Sequence, residues 1–228
     1  MDKPGRHQPH CTRQGEYAIL CDLGLAGATA PDLGIQHKVW GMSACLSARE
    51  DVLEVVPGMN NLLVIFRCIQ HDFDACQAMI RGAWQAVPAS ASALDSREVI
   101  VPVVYGGPQG LDLDFVARHS RLTRQQYIDL HAQASYVVYA LGSQPGFAYL
   151  GGLDPRLAVP RRDTPRPRVP AGSVIIGGSQ AGILSRTTPS GWHIIGHTGL
   201  DCFDHTRERP ALLAPGDTVR FKVQEILA

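Results

Sequence analysis

No stretch of this 228-residue chain holds the roughly 20 consecutive apolar residues that a membrane span needs, and Met1 to Tyr17 has no apolar core of the signal-peptide kind. These absences predict a cytoplasmic protein with no membrane partner. Neither sign of charge is in excess, since 21 Lys plus Arg balance 21 Asp plus Glu. A net charge of zero lacks the basic footprint of a nucleic-acid binder, so any basic site has to be local. The six cysteines (Cys11, Cys21, Cys45, Cys68, Cys76, Cys202) contain no CxxC and no metal-type spacing with histidine, which predicts buried or incidental thiols and no tightly bound metal. A self-contained nucleophile is missing too. GGSQAG (177–182) approaches a nucleophile elbow around Ser179, but Ala181 stands where glycine belongs and no helical pattern follows. PAGSV lacks the lysine and helix of a P-loop, although backbone amides near Gly172 and Ser173 could still nest an anion.

What is present is ordinary core material, 45% hydrophobic, distributed over two patterns. Residues 1–15 are polar, with Pro4, Gly5 and Pro9, and are expected to form a disordered tail. Over 16–90 the chain offers a strand (YAILCDLG), a helix from Asp32 to Arg49, a hairpin (VLEVVPGMNNLLVIFRC) and a second helix that Asp72 caps and Pro88 ends. This order predicts a small βαββα domain. PASASALDS (88–96) loses all periodicity and marks the hand-over to a second domain over 97–228. That domain begins with the strand REVIVPVVY and two short helices, Asp112 to Arg118 and Thr123 to Ala134, the latter with a Thr123/Gln126 capping box. After Tyr136 it is nearly all strand and turn.

From Gly142 to Thr198 there are ten Gly and seven Pro in 57 residues. The apolar runs VIIG (174–177), AGIL (181–184) and WHIIG (192–196) make this segment a folded sheet whose glycines and prolines punctuate tight turns, as in a β-barrel. Within it, Arg156, Arg161, Arg162, Arg166 and Arg168 fall in 13 residues against one acid, Asp163. Interleaved prolines hold this run extended, so its guanidinium forks can meet carboxylate or phosphate oxygens; a solvated loop guarding a sheet edge is the other reading. His193 and His197 share a strand face at a spacing that permits a weak metal site, while two solvent-facing histidines is the preferred reading.

The combination of LHAQASYVVYALGSQPGFAYLGGLDPRLAVPRRDTPRPRVPAGSV, then GWHIIGHT, then LLAPGDTVRF resembles the family of bacterial 5-oxoprolinase B subunits, which also includes allophanate hydrolase subunit 1 and Kip-type kinase inhibitors. The likeness runs from about residue 17 to 228 and is densest over 145–174. It implies an α+β protein, with the small N-terminal domain followed by a cyclophilin-like β-barrel. It implies ATP and Mg²⁺ in a heteromeric complex with C-type and A-type 5-oxoprolinase subunits, which open 5-oxoproline to glutamate. Its alternatives are inhibition of a histidine kinase, or allophanate or ureido-amide hydrolysis. Carried over by the resemblance, Arg161, Arg166, Arg168 and Ser173 would bind anionic oxygens, His131 and Gln180 would orient substrate or move a proton, and Phe147, Tyr149 and Trp192 would exclude water. The chain departs from the family pattern at Ser143, Leu184, Ser190, His193 and His197, all on the proposed face.

Overall fold

The structure is a computed structural model that describes residues 8–25, 27–28, 30–67, 72–88 and 96–228. The chain separates into two compact units, Met1–Leu94 and Asp95–Ala228.

In the first unit the strands β1 (His10–Gln14), β2 (Ala18–Asp22), β3 (Val52–Pro57) and β4 (Asn61–Phe66) form one antiparallel sheet in the order β1-β2-β4-β3. Helices α1 (Leu33–Ser47) and α2 (Phe73–Ala86) start where short acidic side chains take up free amides: Asp32 accepts from Ile35 N–H at 2.8 Å and Asp72 from Asp74 N–H at 3.1 Å. The apolar alternation of β4 places Leu62, Val64 and Phe66 inward against Val39, Met42, Leu46 and Ile80. Buried Gln36 fixes the β3–β4 turn, accepting from Asn60 N–H at 2.8 Å and donating to Gly58 C=O at 3.0 Å.

Two expectations change here. The predicted tail ends earlier than residue 15, because His10–Gln14 pairs in register with β2, which makes the unit ββαββα. HCTRQ buries only Cys11, so its backbone hydrogen bonds, and not an apolar pattern, make it a strand. The rest of that tail (1–7) and most of the predicted hand-over segment (89–95) lie outside the described residues.

The second unit contains β5 (Glu98–Gly106), α3 (Leu113–His119), α4 (Arg124–Gln133), β6 (Tyr136–Leu141), β7 (Ala148–Gly151), β8 (Arg166–Val169), β9 (Ser173–Gly177), β10 (Gln180–Ile183), β11 (Thr188–Ser190), β12 (His193–His197) and β13 (Thr218–Leu227). Seven of the strands close a barrel in the order β10-β7-β6-β13-β5-β12-β9, with β10 returning to pair with β9. Every pairing in it is antiparallel except β5 with β13, which run parallel from Glu98 opposite Thr218 to Gly106 opposite Leu227. Strands β8 and β11 form a separate two-stranded ribbon. The barrel interior holds Val101, Val103, Tyr105, Leu150, Ile176 and Phe221. Each such side chain contributes about 1.5–3 kcal/mol by leaving water.

Helix α4 opens with the predicted capping box and turns Tyr127, Ile128 and His131 inward. His131 is fully buried; its Nδ1 is 2.8 Å from the Tyr105 hydroxyl, and its ring packs 4.4 Å from that of Phe221. No helix among the described residues is long and apolar enough to cross a membrane.

Candidate functional site

Alternation along the barrel strands sets up a second apolar cluster. On β9, Val174 and Ile176 point into the barrel core and Ile175 points the other way, where it meets Phe147, Leu184, Trp192 and Ile194. Of these, Phe147, Ile175, Leu184 and Trp192 floor a groove of about 320 Å³. Phe147 stands edge-on to Tyr149 at 4.9 Å and to Trp192 at 6.0 Å between ring centroids, a geometry that fixes both faces of the groove. Trp192 can lie flat because Gly177 is beneath it; a Cβ there would come within 2.6 Å of the indole.

The rim is polar. Ser143, Gln144, Thr188 and Ser190 supply hydroxyl and amide groups, and Arg161 and Arg162 supply guanidinium groups. Arg161 is exposed, lies 5.4 Å over the Trp192 ring, and has no carboxylate partner among the described residues. It is therefore a cation held by an aromatic face with its donors available. The groove is lined by donors and apolar rings, without carboxylate or imidazole, so its chemistry favours a small anion with an apolar body.

The arginine arm is held from behind by Asp112. This residue is 4% exposed, and its carboxylate accepts from Arg166 at 2.7 and 2.8 Å, from Arg162 at 3.3 Å and from the Ile194 backbone N–H at 2.8 Å. Burial alone would raise the Asp112 carboxyl, but the Arg166 hydrogen bonds, the Ile194 amide and the Arg166 and His193 charges together hold it below the usual carboxylate range. Arg162 N–H also donates to Gly191 C=O at 2.7 Å, which ties the arm to the loop before Trp192.

The structure therefore brings together Arg161, Phe147, Tyr149 and Trp192 of the residues named from the sequence. It does not bring the others to the groove. Arg166 is spent on Asp112 and so does not serve as a free anion donor. Arg168 is exposed on β8, Ser173 is buried at the start of β9, and Gln180 opens β10; none of the three lines the groove. His131 sits in the barrel core, where burial pushes its pKa down to about 3, so it is neutral and out of reach of a ligand in the groove. Of the departures from the family pattern, Ser143, Leu184 and Ser190 do line the groove, whereas His193 and His197 do not.

Nor are those two histidines a solvent-facing pair. His193 is 4% exposed, stacks on Phe115 at 5.0 Å and places Nε2 3.0 Å from Pro160 C=O. His197 is half-buried and places Nε2 2.9 Å from Ala171 C=O. Among the described residues no group of three or more His, Cys, Asp or Glu is arranged to hold a metal ion. Asp112, read from the sequence only as a helix start, is the acid that braces the arginine arm, and Arg162, named there only as part of the run, is one of its partners. Their pairing spans 50 residues and leaves no local signal.

Comparison with known proteins agrees with this architecture. The family model for the carboxyltransferase domain, subdomain C and D, matches residues 9–213. The chain is 44% identical over 216 residues to the 5-oxoprolinase B subunit of Escherichia coli O157:H7, covering 94% of this chain and 96% of that protein. It is 41% identical over 213 residues to the 5-oxoprolinase B subunit of Haemophilus influenzae, covering 92% of this chain and 96% of that protein. Among solved structures, TTHA0988 superposes with a TM-score of 0.73 at 31% identity over 91% of this chain, which spans 40% of that longer chain. Kluyveromyces lactis urea amidolyase superposes at 0.76 with 20% identity, covering 98% of this chain and 15% of that one, and so shares the fold. With a family match over most of its length and two full-length relatives above 40% identity, the chain belongs to the carboxyltransferase subdomain C and D family, alongside the 5-oxoprolinase B subunits.

Proposed function

We propose that this chain is the B subunit of a heteromeric, ATP-dependent 5-oxoprolinase that opens 5-oxoproline to glutamate together with A-type and C-type subunits. The observation that carries this reading is the 44% identity to the B subunit of Escherichia coli over nearly the whole of both chains. The groove supports it chemically. 5-Oxoproline is a small five-membered lactam bearing one carboxylate, which suits a guanidinium on the rim and aromatic rings below. Arg161 would take the carboxylate, Phe147 and Trp192 would flank the ring, and Gln144 or Ser190 would donate to a carbonyl oxygen.

The groove's own donors do not fit Mg²⁺, which prefers oxygen anions, because no carboxylate lines it. Metal and nucleotide binding therefore belong to the partner subunits in this reading. The same lining offers no side chain suited to general-base work at neutral pH, which supports inactivity of the isolated chain. Reconstitution tests the reading: the chain with its A-type and C-type partners, 5-oxoproline and ATP should release glutamate, with allophanate as the competing substrate. Absence of release above that of the separate subunits would reject it, and turnover of allophanate alone would move the assignment to ureido amides.

Arg161→Ala should weaken binding of the substrate carboxylate by about ten- to a hundredfold, from the loss of a charge-assisted bond of about 1.5–3 kcal/mol. Its stability should hardly change, since Arg161 is exposed. Titration of 5-oxoproline into the assembled complex, beside a thermal melt of the variant, checks both halves.

A further inference from the structure

The first unit carries a pair of thiols that the groove does not use. Cys11 on β1 and Cys21 on β2 are directly opposed in the antiparallel register, and their Sγ atoms are 3.7 Å apart. Opposed residues in such a ladder have Cβ atoms about 4.5–5.5 Å apart, next to the 3.5–4.5 Å or so that a disulfide bridges. Strand β1 is an edge strand, paired on one side only, so it can close that gap without breaking a second ladder. The remaining thiols among the described residues are differently placed: Cys45 is exposed, while Cys76 and Cys202 are buried.

We propose that Cys11 and Cys21 are an oxidisable pair that forms a reversible disulfide across the edge of the four-stranded sheet. The two thiols are unequal in a way that orders the steps. Cys11 is 8% exposed and Cys21 is fully buried, so a reagent reaches Cys11 first. The hydrogen bond with Cys21 favours the Cys11 thiolate, burial opposes it and the Arg81 charge assists it. With a peroxide as oxidant, the Cys11 thiolate attacks one oxygen, the O–O bond breaks, and Cys11 becomes a sulfenic acid as the other oxygen leaves, protonated, as water. The Cys21 sulfur then attacks the Cys11 sulfur, the S–O bond breaks, and a second water departs with the Cys21 proton. Two thiols and one peroxide become one disulfide and two waters. A thiol restores the pair by exchange.

The test uses the full chain, treated natively with hydrogen peroxide, quenched with N-ethylmaleimide in denaturant and mapped by mass spectrometry without reduction. We expect a loss of two hydrogens, one peptide pair linked through Cys11 and Cys21, and reversal by dithiothreitol. The melting temperature of the first unit should rise by about 5 °C or more, as for closure of a short loop by a bond its geometry accepts. The variant C11S should show no such linkage, and C21S should stop at a Cys11 sulfenic acid that dimedone traps. Oxygen adducts at Cys11 in the unmodified chain without linkage would overturn the proposal. So would linkage through Cys45, alkylation of both thiols after treatment, or a linked form that melts lower. None of these outcomes depends on the groove or on lactam chemistry.

Discussion

Asp112→Ala should destabilise the barrel unit by about 3 kcal/mol, because removing one partner of a buried ion pair strands its cations and a backbone amide. Asp112 is 4% exposed, while the side chains of Arg166 and Arg162 retain 22% and 32% of their exposure, so the loss belongs at the lower end of the range for buried pairs. Asp112→Asn keeps one oxygen to accept from Ile194 N–H but loses the charge and turns the other oxygen into an NH₂ that faces the Arg166 and Arg162 donors, so it should cost less than Asp112→Ala, by about 1 kcal/mol. Denaturant unfolding at pH 7 measures both. Positioning is separable from bulk stability: amide exchange should quicken over 160–168, the arm that carries Arg161 and Arg162, before it quickens in β5 or β13. Wild-type exchange in that arm for Asp112→Asn would show that Arg166 and Arg162 are not held by the carboxylate charge. Since the folded Asp112 carboxyl titrates low, its contribution is intact above the ordinary carboxylate pKa and fades as pH falls through the depressed one.

Acid should expose the second large effect earlier. His131 is neutral in the fold because burial lowers its pKa to about 3, whereas in the unfolded chain it titrates near 6.5. A group whose folded pKa is depressed leaves the unfolded state holding more protons. Stability is therefore complete above about pH 6.5 and declines as pH falls from there toward 3, by about 1.4 kcal/mol per pH unit. Between pH 7 and 4.5 the barrel unit should lose about 3 kcal/mol from this residue. His131→Gln keeps a neutral polar group beside the Tyr105 hydroxyl and should flatten the slope over pH 4.5–6.5, at a lower stability at pH 7. An equal slope in the variant would mean that another group carries the acid sensitivity. Asp112 does not confuse the measurement, since its stability is lost only as pH falls below the ordinary carboxylate pKa of about 3.9.

What the sequence reveals, and what it conceals, follows the range of the interactions. Asp32, Asp72 and the Thr123/Gln126 box act within three residues, so helix starts are legible. Runs such as VIIG and WHIIG are legible as strands because a short apolar run between turn residues is a local signal. Phe147 and Tyr149, two residues apart, are legible as groove aromatics, whereas Trp192 meets Phe147 from 45 residues away. The arginine run looks available because its acid is 54 residues upstream of Arg166, and only barrel closure brings Asp112 there. His131 looks catalytic by type, yet Tyr127, Ile128 and His131 share the inward face of α4, a spacing that fits core packing. Strand β1 escapes notice because an edge strand with one buried side chain has no pattern to read.

The parallel pairing of β5 with β13 also dictates when this barrel can exist. Its two strands are the first and last of the unit, with Glu98 opposite Thr218 and Gly106 opposite Leu227. During synthesis β5 leaves the ribosome with neither flank paired, since β12 begins only at His193, and its β13 flank stays open until about 120 further residues have followed. At about 5–20 residues per second that is a wait of roughly 6–24 s, in which Val101, Val103 and Tyr105 have no closed interior to enter. Closure thus waits for the last strand of the unit, has a high contact order, and is slow by that measure. The adjacent helices α3 and α4, which assemble from local contacts, can form while β5 waits.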